Sequence, residues 1–138
     1  MENKDCLFCK IVRGEIPAEA IYRDNICIAF LDIHPNNLGH TLIVPLEHYE
    51  NLYDLPDQLL SSIAPQIKKV TLMVKKGVSA DGINIAMNNE KAAGQIVNHA
   101  HIHIIPRFND DGFKHWSSKN PTSEELQSIK EKIIEVNN

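Results

Sequence analysis

The chain has 138 residues, 43% of them apolar, and a formal charge of −4 at pH 7. That length suits one domain with a real core, and the charge leaves no basic stripe to displace counterions from a nucleic-acid backbone. No apolar stretch is long enough to span a bilayer, and the start Met1-Glu2-Asn3-Lys4-Asp5 does not resemble a signal peptide, so a cytoplasmic protein is expected.

Cys6 and Cys9 form a C-x-x-C at the start of the chain, and Cys27 stands alone in an apolar run. In a reducing cytosol structural disulfides are not expected, and Cys27 reads as a small core residue. A redox C-x-x-C follows a strand, and none precedes this one; as a metal site it is half a ligand set. Residues 7–13 read as a short helix stopped by Gly14. Glu15-Ile16-Pro17 is a turn or an extended link. Residues 26–31 read as a strand and 32–39, with Pro35, Asn36, Asn37 and Gly39, as a loop. A second strand over residues 41–44 is stopped by Pro45.

The main helix is expected over residues 57–76, with Leu59, Leu60, Ile63, Ile67, Val70 and Val74 at helical spacing and Gly77 as its stop. Pro65 inside it should kink or split it. Residues 83–87 read as a strand, and 88–98 as a loop whose Ala92-Ala93-Gly94 lets the backbone approach a ligand. The segment His99-Ala100-His101-Ile102-His103-Ile104-Ile105 reads as the last strand, ended by Pro106. Thr122 and Glu125 form a capping box for a helix to about residue 135, with Leu126, Ile129 and Ile133 on one face. The sum is one α+β domain over residues 1–138 with an antiparallel sheet and short links. No Walker or Rossmann glycine pattern is present.

The histidine row carries the chemistry. On a strand, His99, His101 and His103 share one face while Ala100, Ile102 and Ile104 take the other. A core strand gains little from three imidazoles on one face, so the row points to nucleophilic catalysis, anion binding or metal binding. Alternate strand residues lie about 6.5–7 Å apart, which is awkward for three of them to converge on one metal, and no H-E-x-x-H or acidic partner follows. A neutral imidazole can attack phosphorus without first losing a proton and brings no negative charge to a phosphate. A neighbouring histidine can bind phosphate oxygens or pass a proton to the leaving group. Gly94 and Gln95 are expected to offer backbone N–H groups and a side-chain amide to an oxyanion.

The segment from Gly94 to Arg107, with His99-Ala100-His101-Ile102-His103-Ile104-Ile105 at its centre, resembles the histidine triad (HIT) family, whose signature is His-φ-His-φ-His-φ-φ. Phe8-Cys9-Lys10-Ile11-Val12-Arg13-Gly14-Glu15-Ile16-Pro17, Phe30-Leu31-Asp32-Ile33-His34-Pro35 and Gly39-His40-Thr41-Leu42-Ile43-Val44-Pro45 resemble its other segments, so the likeness covers about residues 5–108 in order. The branch resembled is the Hint-like (protein kinase C interacting protein-like) one, of a zinc-binding bacterial type. The resemblance implies a five-stranded antiparallel sheet, a homodimer with its two sheets joined, and a nucleotidyl hydrolase or transferase acting at the α-phosphate. It implies His101 as the nucleophile that becomes a nucleotidyl-histidine, His103 on the phosphate and Gln95 on the bridging or leaving atom. It places Asn88 and Gly94 at the phosphate, Asp32 at the ribose hydroxyls, and Leu7, Phe8, Ile11 and Ile33 around base and sugar. His40 would support the nucleophile strand. Ile96 departs from the pattern, standing where many members carry Ser or Thr.

With that resemblance the C-x-x-C gains partners: Cys6, Cys9, His48 and His99 would make a closed tetrahedral zinc site, structural because no position is left for water. The substrate expected is a purine nucleoside 5′-phosphoramidate such as AMP joined to an amine. The alternatives are a dinucleoside polyphosphate hydrolase or, in another class, a nucleotide-binding regulatory or scaffold dimer. Apolar residues on more than one face of the main helix add to the expectation of a homodimer.

Overall fold

The computed structural model describes residues 3–138; Met1 and Glu2, part of the chain start read above, lie outside them. The elements run α1 (Leu7–Val12), β1 (Ala20–Arg23), β2 (Cys27–Leu31), β3 (Thr41–Pro45), α2 (Asp57–Gly77), β4 (Gly82–Ala86), a 3-10 turn (Lys91–Ala93), β5 (Ile102–Arg107) and α3 (Ser123–Val136). The five strands make one antiparallel sheet in the order β1-β2-β3-β5-β4. Among the described residues, no helix is long and apolar enough to cross a membrane.

The alternation along the strands divides the core in two. Cys27, Ala29, Ile43, Ile102 and Ile104 meet Ile63, Val70 and Val74 of α2. Ile28, Phe30, Leu42 and Val44 turn the other way, onto Cys6, Phe8 and Cys9. Each large apolar side chain so buried contributes roughly 1.5–3 kcal/mol. Val70 and Val74 lie seven and eleven residues beyond Ile63, on one stripe of α2. Ile102 and Ile104, on either side of His103, therefore hold β5 against α2, and the same pleat presents His101 and His103 on the α1 side.

Several details differ from the sequence reading, among them the start of β5 at Ile102 instead of His99. β1 carried no clear signal because this edge strand is only half-covered and its Ala-Ile-Tyr-Arg lacks alternation. Pro65 does not split α2: it stands on the exposed face, where the carbonyl left without its partner can turn to water. Gly77 is the last helical residue rather than the stop, and the chain turns at Ser79, with φ +54°. Pro106 lies inside β5, paired with Ile83. Its carbonyl accepts from Asn37 Nδ2 at 2.9 Å, so its missing N–H points past the end of β3, where no ladder bond is needed. The loop between β2 and β3 is pressed onto this end of the sheet at Gly39, where φ is +99° and a Cβ would stand 2.9 Å from Val78 Cγ1.

The capping box of α3 is present, with Thr122 Oγ1 accepting from Glu125 N and Glu125 Oε2 accepting from Thr122 N. The apolar face of α3 is exposed, including Leu126, Ile129 and Ile133.

Candidate active site

His99, Ala100 and His101 precede the β5 ladder, which begins at Ile102 opposite Ile43. They belong to the site rather than the sheet because other groups claim them: Ala100 N donates to Tyr49 O at 2.7 Å, and His99 Nε2–H donates to Pro45 O at 2.9 Å. Sequence reading missed both partners. Each is a backbone carbonyl, which every residue type carries, so no side-chain signal marks them.

Hydrogen bonds set the tautomer of each imidazole. His101 is 6% exposed, and its Nδ1 lies 2.7 Å from His99 O. A ring nitrogen facing a carbonyl must carry the proton, so the His101 lone pair is on Nε2. His40 Nδ1 accepts from Asn36 N at 3.0 Å, which puts the neutral His40 proton on Nε2. That Nε2–H faces His103 Nδ1 at 2.9 Å, leaving His103 with its proton on Nε2 as a donor. Asp32 Oδ2 stands 3.7 Å from His40 Nε2, and Asp32 Oδ1 accepts from His34 N. The His101 and His103 rings lie 5.0 Å apart, and Phe8 meets His101 edge-on at 5.1 Å.

Burial lowers the basicity of the whole row. It pushes His103 down to about 4, helped by the neighbouring His101 and His40. Burial also lowers His101, against a rise from its bond to His99 O and from Asp32, and lowers His40 against the rise from Asp32. The row is thus held neutral at physiological pH, the form in which an imidazole is a nucleophile and a neutral donor.

Of the other predicted residues, Phe8 packs against this row. Leu7, Phe8 and Ile11 are on α1, and of these only Phe8 is buried. Ile33 is exposed beside Asp32. Asn88 Nδ2 lies 3.7 Å from where a Cβ on Gly94 would be, and Gly94 has φ +90°. The backbone N–H groups of Gly94 and Gln95 are not free for an oxyanion: they donate to Lys91 O and Glu90 O and close a turn.

A second cluster lies behind the first. The ligand atoms of Cys6, Cys9, His48 and His99 all fall within 4.8 Å of one another. His99 Nδ1 is 3.5 Å from both sulfurs and 3.2 Å from His48 Nδ1, and Cys9 Sγ is 3.3 Å from His48 Nδ1. Zinc bonds of about 2.3 Å to sulfur and 2.0–2.1 Å to nitrogen would separate tetrahedral ligands by about 3.3–3.8 Å, so the donor set fits that ion. The bond from His99 Nε2–H to Pro45 O leaves the Nδ1 lone pair facing the cluster, the atom that would hold a metal. Cys27 is apart from this cluster, fully buried, with burial pushing its thiol up to about 12.

A five-stranded antiparallel sheet whose β5 strand is entered through alternating histidines is the arrangement of the histidine triad class. The family model for the HIT domain matches residues 13–110, and the chain belongs to that family. A solved structure from Streptococcus mutans superposes with a TM-score of 0.92 at 39% identity, covering 99% of this chain and 87% of that one. A zinc-bound histidine triad family protein from Mycobacterium smegmatis gives 0.76 at 34% identity over 96% and 97% of the two chains. The adenosine 5′-monophosphoramidase of Schizosaccharomyces pombe is 38% identical over 131 residues, 93% of this chain and 95% of that protein.

Proposed function

We propose that the protein is a nucleotide hydrolase that acts at the α-phosphate through a nucleotidyl-histidine on His101, with purine nucleoside 5′-phosphoramidates as substrates. The observation that carries this reading is the oriented lone pair of His101, whose Nδ1–H is held by His99 O at 2.7 Å. Nε2 attacks phosphorus, the phosphorus–nitrogen bond to the amine breaks, and the departing amine takes up a proton from solvent, which the attacking water of the second step gives back. Water then attacks the same phosphorus, releasing the nucleoside monophosphate and restoring His101. His103 donates Nε2–H to a phosphate oxygen. Asp32 holds the ribose hydroxyls, Asn88 and Gly94 border the phosphate, and Leu7, Phe8, Ile11 and Ile33 enclose base and sugar. The phosphoramidase named among the relatives supports the choice of leaving group.

Zinc on Cys6, Cys9, His48 and His99 would be structural, since four protein ligands leave no position for water. A cytoplasmic setting keeps both thiols available to it. The reading is tested by turnover of an adenosine phosphoramidate, a guanosine phosphoramidate and a diadenosine polyphosphate. The phosphoramidates should have the higher kcat/KM. Preference for the polyphosphate would move the assignment to that hydrolase class, and tight binding without turnover would make the protein a nucleotide-binding regulator.

The reading includes a homodimer. Exposed Leu60, Leu72 and Met73 on α2, Ile85 on the edge strand β4, and the apolar face of α3 are surfaces that a second copy would cover. Light scattering at micromolar concentration should return twice the chain mass of 15.6 kDa; a stable, active monomer would refute this part.

A further inference from the structure

We propose that Gln95 serves the reaction as a positioning residue, bracing the loop beside the phosphate, rather than as a contact to the leaving atom. The inference deepens the hydrolase reading above and rests on it.

Gln95 is 7% exposed, and its amide is engaged on both sides. Nε2 donates to Glu50 O at 2.6 Å and to Val97 O at 3.1 Å. Oε1 accepts from Glu90 N at 2.8 Å. The orientation is unambiguous, because one partner is an N–H and the other two are carbonyls. A departing amine that carries negative charge needs a donor, and both Gln95 donors are occupied by backbone carbonyls, those of Glu50 and the half-buried Val97. Supplying one would leave a carbonyl without its partner.

The loop it braces is under strain. Glu90 has φ +71° and ψ 163°, a region that favours glycine. Glu90 N–H is held by the Gln95 side chain, and Glu90 O accepts from the N–H groups of Ala93 and of Gln95 itself. The residue therefore closes the turn at both ends and over-determines the unfavourable backbone. Through Glu50 O the same amide ties this turn to the segment carrying His48 and Tyr49, and Tyr49 O accepts from Ala100 N between two of the row's histidines. Gln95 is thus a strut between the turn that carries Gly94 and the backbone that carries His101.

The two roles differ in how they depend on the amine. A leaving-atom contact acts on the departing nitrogen, so its loss weighs more the more basic the amine, even though in-line attack brings the water of the second step to that same side. A strut slows both steps by a factor the amine does not set, because the same loop and the same histidines surround phosphorus in each. The experiment is single-turnover kinetics on Gln95→Ala with adenosine phosphoramidates of several amines, following amine release and, separately, AMP release from the preformed nucleotidyl-histidine. Both steps should slow by a similar factor, about tenfold to a hundredfold, as expected for misplacement of the reacting groups, and the factor should not change with amine basicity. Adding Glu90→Gly, which removes the backbone strain, should restore part of both rates. Slowing of amine release that grows with amine basicity would overturn the inference and return Gln95 to the leaving atom. So would a double variant no faster than Gln95→Ala alone. Should Gln95→Ala fail to fold, Glu90→Gly alone decides: a raised melting temperature supports a strained, braced turn, and a lowered one overturns it. If the unsubstituted protein formed no nucleotidyl-histidine, the hydrolase reading would fall first, and the inference with it.

Discussion

His101→Ala should lower turnover of an adenosine phosphoramidate by on the order of 10⁴-fold or more, the scale seen when a covalent nucleophile is removed. No other group takes over the attack. His103 Nδ1 is engaged by His40 Nε2 at 2.9 Å and its Nε2 carries the proton, so its lone pair is not available to phosphorus. Affinity for AMP should stay within about threefold, because the substitution removes the attacking atom and the edge contact with Phe8 but leaves the surrounding backbone bonds in place. His103→Ala should cost less, about 10²-fold, the lower end for a group that donates a proton or hydrogen bond in the transition state. Rapid-quench assays, with mass spectrometry to detect the nucleotidyl adduct, check both. A His101→Ala enzyme working at near the original rate, or an adduct mapped to another residue, would remove His101 from its role.

Cys6→Ser or Cys9→Ser should produce the largest stability effect. The purified protein should hold about one zinc per chain, and each substitution should release it. Metal bound only by the folded state adds its binding free energy to folding, and loss of such a site is among the few changes that exceed about 4 kcal/mol. For a chain of this size each kcal/mol is roughly 3–6 °C of melting temperature, so Tm should fall by more than about 10 °C. Activity should fall with it, because His99 is shared: its ring faces the cluster and its carbonyl holds His101 Nδ1. Cys27→Ala should retain the metal, since this thiol lies in the core against α2. Metal analysis and calorimetry decide the matter. Zinc-free protein prepared without chelator, with a melting temperature indifferent to Cys6, would reject the site.

How far the sequence carried depended on the range of the interaction. Helix α2 was legible because Ile63, Val70 and Val74 repeat at the helical period, and α3 because Thr122 and Glu125 cap each other three residues apart. The central strands were legible from short apolar runs between turn residues, whereas β1 was not, being half-covered and short. The alternation of His99, His101 and His103 with apolar residues marked the reactive segment, although the ring of His99 turns to the cysteines while His101 and His103 pair with each other. Their neighbours in space were another matter: Cys6 and Cys9 lie some ninety residues from His99, and only the family likeness suggested the grouping.

The sequence by itself determined the two periodicities, the turn residues between them and the identity of the reactive side chains, all of which are local properties of the chain. Only the tertiary structure decided the protonation pattern and the supports of the site. The proton of His101 follows from His99 O, that of His40 from Asn36 N, and the donors of Gln95 from Glu50 O and Val97 O. It also decided that the Gly94 and Gln95 N–H groups close a turn instead of awaiting an anion. The physical reason is common to all of these. Backbone donors and acceptors are the same at nearly every position, so which one meets an imidazole or an amide is set by where folding brings the chain, and no residue type records it.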